Sequence, residues 1–153
     1  KTTRVRYTEI MRILGLTYAI AAAVTWGLSY TIDQKVLGKV SPLAFLFITS
    51  ILEFLITLPF VLSDKQSLKT LLGSGRLNLS LIVAAVALAT LANYFIFSSI
   101  KILGAPTASI FEIAYPFFVV LFSFFVFGAT PNVFFLIGAA LIFLGSLVII
   151  RFG

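Results

Sequence analysis

Five apolar runs of about twenty residues each, separated by short polar turns, restrict this chain to one environment. They lie at 13–32, 42–62, 79–100, 106–127 and 132–150. As a helix, each is long enough to cross a hydrocarbon core about 30 Å thick. Inside lipid the backbone must satisfy its own hydrogen bonds, which leaves helices and closed barrels. Barrel strands alternate apolar and polar residues, and these runs do not. The expected fold is therefore an all-α membrane protein with five transmembrane helices, preceded by a basic N-terminal segment at 1–12. Of the 153 residues, 61% are hydrophobic and 10% charged, against about 45–50% and about 25% in soluble domains. No soluble domain fits in the remainder.

The chain has neither cysteine nor histidine. That removes disulfides, thiolate metal sites, most zinc chemistry and the usual Cys or His nucleophile machinery. No cofactor or metal is expected, and an enzyme is the least expected class. The net charge of +6 is not a nucleic-acid footprint, because most basic residues fall in terminal segments and turns. There they suit anionic headgroups and the setting of topology. One side of the membrane would hold Lys1, Arg4, Arg6, Arg12, Lys65, Lys69 and Arg76, and the other Lys35, Lys39, Lys101 and Arg151. The excess favours a cytoplasmic N-terminus. The chain opens on Lys1 rather than Met, so a missing or processed start is expected. The first apolar run is too long for a cleavable signal peptide.

Two of the five acidic residues, Glu53 and Glu112, stand inside apolar runs. A charged side chain at the bilayer centre costs at least ~2.5 kcal/mol, and such residues mark substrate or proton pathways. Thr49, Ser50, Glu53 and Thr57 share one face of the second helix; Ser109, Glu112, Tyr115 and Pro116 form a stripe in the fourth. At ~1.5 Å per residue, Glu53 and Glu112 lie about 16 Å and about 9 Å from their helix starts at Pro42 and Pro106. The two helices cross in the same direction, so both carboxylates are expected toward one cavity. A carboxyl in low-dielectric surroundings disfavours its charged form, and can trade a proton for a cation. Trp26, Tyr30 and Tyr115 offer aromatic faces to a cationic ligand, and Asn93 a polar side chain in the third helix. Pro116 cannot bond the carbonyl of Glu112, nor Pro59 that of Leu55, so each is expected to break its helix. Both are devices of transporter sites.

Blander readings stand beside these. A glutamate can be a protonated link between helices, as can Asn93. Asp33 and Lys101 are expected at interface level, capping or snorkelling. Gly138 and Gly145, seven residues apart, allow close approach of a helix from this chain or a second copy.

From about Leu14 onward the chain resembles the EamA-type repeat of the drug/metabolite transporter superfamily. The small residues before Trp26-Gly27, a lysine after a short polar turn, and Ser41-Pro42 opening the second helix resemble the start of that repeat. A central Pro116, a Gly128 turn and a final "IGAALIFLGSLVI" resemble its close. Tyr115 stands where the family commonly has an acidic residue, Ala129 where it commonly has glutamate, and an arginine frequent early in the second helix has no counterpart near Thr49 or Ser50. The resemblance implies a secondary transporter of small cationic or amphipathic metabolites or drugs, in a bacterial or archaeal cell (inner) membrane. Family members usually carry two such repeats in inverted topology, so a lone one implies a homodimer or a sister subunit. Proton coupling through Glu53 and Glu112 is the expected mechanism. A non-transporting membrane subunit that binds a partner membrane protein or lipid is the alternative, and an inert half of a larger carrier a third reading.

Overall fold

The computed structural model describes residues 2–152, with side chains from Glu9 to Phe152. Lys1 and the side chains of Arg4 and Arg6, in the basic N-terminal segment, lie outside the described residues. The helices in chain order are α1 Thr2–Leu37, α2 Pro42–Ser63, α3 Lys65–Leu72, α4 Arg76–Leu103, α5 Ala105–Glu112, α6 Tyr115–Phe127 and α7 Val133–Phe152. With α5 and α6 taken as one crossing, five helical spans are long and apolar enough to cross a membrane.

The first helix exceeds its apolar run at both ends. No proline or mid-helix breaker interrupts residues 2–12, and Asp33, Gln34 and Lys35 carry α1 on to Gly38. At 36 residues it is about 54 Å long, well beyond a ~30 Å hydrocarbon core. The long turn after α2 holds a helix of its own, α3. Asp64 is its N-cap and accepts from the Ser67 amide at 3.1 Å. Hydrogen bonds from Ser67, through its hydroxyl and then its amide, hold the fully exposed Asp64 carboxyl below the usual aspartate range.

Pro59 does not break its helix. α2 runs through it without interruption to Ser63. A proline removes only the one bond to the carbonyl four residues back, here four residues from the helix end. Ser63 Oγ donates to the Pro59 carbonyl at 2.9 Å and closes the last turn. The fourth crossing does divide. Ile113 and Ala114 fall between α5 and α6, and the backbone bonds tighten to three-residue spacing, Ala114 N to Phe111 O and Phe117 N to Ala114 O. Pro116 lies in the first turn of α6, where its missing N–H is tolerated.

Packing concentrates at one membrane face. The buried cluster is Tyr30, Leu37, Leu46, Phe97, Ile100, Ala105 and Ala108. Most of it comes from the end of α1, the start of α2, the end of α4 and the start of α5, which five crossings bring to the same side. The Phe45 and Phe97 rings meet edge to face with centroids 4.9 Å apart. Two long-range hydrogen bonds fasten this end. Lys101 Nζ donates to the Val40 carbonyl at 2.7 Å, and the Ala105 amide donates to Gln34 Oε1 at 2.6 Å. The second satisfies one of the amides left free at the start of α5, where Gly104 supplies no side-chain cap.

Gly104 has φ +81° and ψ 157°, a region essentially reserved for glycine. A Cβ there would also stand 3.5 Å from Gln34 Oε1. Gly104→Ala is expected to cost about 1–3 kcal/mol, measured by unfolding the purified chain in micelles. Gly138→Ala, helical with open space around its Cβ, should cost nothing in the same assay.

Candidate functional site

A side-chain hydrogen bond between two helices joins Tyr30 to Glu112. Tyr30 Oη donates to Glu112 Oε1 at 2.8 Å. Tyr30 is buried, 8% exposed, and Glu112 is half-buried. Helical spacing explains the α1 side. Trp26, Tyr30, Asp33 and Leu37 follow i, i+4, i+7 and i+11 and so share one stripe. The break explains the other side. Glu112 is the last residue of α5, beside a carbonyl that Pro116 cannot bond.

Trp26 packs on Tyr30 with ring centroids 5.4 Å apart and planes at 51°, while half of its surface stays open. One turn beyond Tyr30, Asp33 is 8% exposed and is the buried charged residue among those described. Its carboxylate accepts from Ser29 Oγ at 3.5 Å. The sequence places Asp33 at interface level, near the end of α1; the structure packs it into the protein there, on the stripe that runs from Trp26 to Leu37. Lys101, also expected at interface level, ties α4 to the carbonyl of Val40.

The other expected residues are not joined to this group. Glu53 is exposed on α2, its carbonyl accepting from Thr57 Oγ at 2.8 Å. Asn93 is half-buried on α4, one turn before Phe97. Tyr115 opens α6 with 62% of its surface exposed. Gly138 and Gly145 on α7 have nothing within 4 Å of a would-be Cβ, so no helix of this chain packs closely on them. Beside Gly145, Ser146 Oγ reaches the Ile110 carbonyl at 3.5 Å and bonds Ile142 O at 2.9 Å, bringing α7 near the break.

Sequence reasoning missed Gln34 and gave Asp33 only an interface-level role. The stripe from Trp26 to Leu37 was the available signal for Asp33. Nothing local marks Gln34, whose partner lies 71 residues away. A concavity between α3 and α4, lined by Ser67, Thr70, Ser74 and Asn78, holds no such chemistry. Thr70 and Ser74 hydroxyls donate to their own helix carbonyls, Gln66 O and Leu71 O.

The arrangement offers two carboxylates at different depths, a phenol that links one of them across helices, and an exposed indole face. That chemistry suits transient binding of a positive charge. A model of the EamA-like transporter family matches residues 13–151. No curated protein and no solved structure matches the chain.

Proposed function

We propose, from the premise that this chain belongs to the EamA-like transporter family, that it is a proton-coupled carrier of small cationic or amphipathic metabolites or drugs. Membership makes it a multi-pass membrane transporter; the substrate class and the coupling are our reading. The observation that carries it is the Tyr30–Glu112 hydrogen bond at a helix break. A carboxylate held inside a transmembrane bundle by one phenol can exchange that partner, or its proton, for an arriving cation. A break beside it gives α5 and α6 a place to move relative to one another.

Glu112 is the principal proton- and substrate-binding residue in this reading. Glu53 lines the same path from α2, with Asn93 and Tyr115 at its margins. A homodimer, or pairing with a sister subunit, completes the path. The open Gly138 and Gly145 positions of α7 leave room for a partner helix to approach. The N-terminus is cytoplasmic, on the side with more Lys and Arg.

Purified protein in liposomes under an imposed pH gradient tests this. Uptake from a panel of organic cations should follow the gradient, and Glu112→Gln should abolish it, with at least roughly tenfold loss expected when a charge-assisted contact is removed. Gradient-driven uptake that survives both Glu112→Gln and Glu53→Gln would sink the coupling mechanism. Absence of flux together with co-purification of a second membrane protein would favour the subunit reading.

A further inference from the structure

We infer that Asp33 recognises the positive charge of the substrate, in an aromatic-cation subsite it forms with Trp26, Tyr30 and Glu112. The inference rests on the transport reading and names the charge-recognising residue of that same site.

Asp33 is more than nine-tenths buried, in a span that crosses the membrane. Its hydrogen bond from Ser29 Oγ, at 3.5 Å, lies beyond the ~2.5–3.0 Å of a full O–H···O bond. Buried charges are ordinarily paired, and the nearby cations are engaged elsewhere or face outward. Lys101 Nζ is committed to the Val40 carbonyl, and Lys35 and Lys39 are exposed. Glu112 already gives one oxygen, Oε1, to the Tyr30 phenol. Leu46, Phe97 and Ile100, from the neighbouring α2 and α4, bring only apolar surface to the buried cluster. Of the two carboxylates in this group, Asp33 therefore keeps more capacity for a ligand.

Its position selects the ligand class. Asp33 follows Tyr30 by three residues, a rise of about 4.5 Å along the same stripe. Tyr30 in turn stacks at a tilt against Trp26, whose open face is the best aromatic surface for a cation. A ligand that places its charge at Asp33 lays its body over Trp26. That fits a monovalent cation bearing aromatic groups. A small inorganic ion seated at Asp33 would not span the rise of about 10 Å back to Trp26, and an anion would meet two carboxylates.

Trp26 is the one tryptophan of the chain, so its fluorescence reports on the subsite directly. The protein in phosphatidylcholine nanodiscs is titrated with methyltriphenylphosphonium, and in parallel with neutral triphenylphosphine oxide, which has the same three rings. The phosphonium is expected to give a saturable change in Trp26 emission and the oxide at least a tenfold weaker one. Asp33→Asn should weaken phosphonium binding tenfold or more. Asp64→Asn removes the same charge at the exposed cap of α3 and should leave binding as it was.

Asp33→Asn that binds like Asp64→Asn overturns the inference and makes Asp33 a structural group. So does equal binding of the oxide by the unaltered protein, a result that needs no variant to fold. If the phosphonium binds and only Glu112→Gln weakens it, the cation-transport reading survives and the role given to Asp33 falls. If the unaltered protein gives no saturable response, the subsite falls, while the transport reading stands or falls on uptake of the cation panel in liposomes.

Discussion

Leu37→Ala is expected to lower the unfolding free energy by about 2–3 kcal/mol, toward the low end of the range for buried leucines. Leu37 is fully enclosed, 0% exposed, where the ends of α1 and α4 meet the starts of α2 and α5. In water such a truncation loses both transfer free energy and packing. In a bilayer lipid tails are as apolar as leucine, so packing is what remains. The cavity would lie in the buried cluster with Ile100 and Ala105, and the Gln34–Ala105 hydrogen bond limits collapse into it. Leu28→Ala, on the same helix but 63% exposed, exchanges one lipid-facing residue for a better helix former and should cost almost nothing. Denaturation of both variants in mixed micelles separates them. Equal midpoints would mean that the convergence of four helices at this face does not hold the fold together.

Tyr30→Phe is expected to reduce gradient-driven uptake about 10- to 100-fold while leaving the protein folded. The substitution removes one oxygen. The ring and its contact with Trp26 are kept, but Glu112 loses its phenol donor. A hydrogen bond to a charged group contributes about 1.5–3 kcal/mol, which as a rate or affinity is that many-fold. If the phenol tunes proton exchange at Glu112, the pH profile of uptake moves as well as its size. A purely structural tyrosine would lower the unfolding midpoint and leave the profile in place. Full uptake by Tyr30→Phe with an unchanged profile would remove the hydrogen bond from the mechanism.

The two proline expectations show where local reading ends. Pro116 and Pro59 remove the same kind of backbone bond. The fourth crossing divides near Pro116, whereas α2 passes Pro59 intact. The difference lies in surroundings. Near Pro116 the chain has already tightened to three-residue bonds and Glu112 is drawn toward α1. Pro59 stands one turn from a helix end with no cross-helix partner pulling on it. Likewise Glu53 and Glu112 look equivalent as carboxylates in apolar runs, yet only Glu112 meets Tyr30.

Five crossings, their approximate places and the candidacy of Glu112 were legible from residue order, each by a rule about single segments: apolar length against bilayer thickness, backbone satisfaction in lipid, and the penalty on an intramembrane charge. The family was legible by resemblance, in motifs such as Ser41-Pro42 and the final helix. Which carboxylate a phenol from another helix reaches, that Asp33 lies enclosed, and that Gln34 caps α5 were decided by tertiary structure alone. Those depend on how helices tens of residues apart are rotated and set in depth against one another. In lipid no hydrophobic gradient along any one helix dictates that rotation; only packing between helices does.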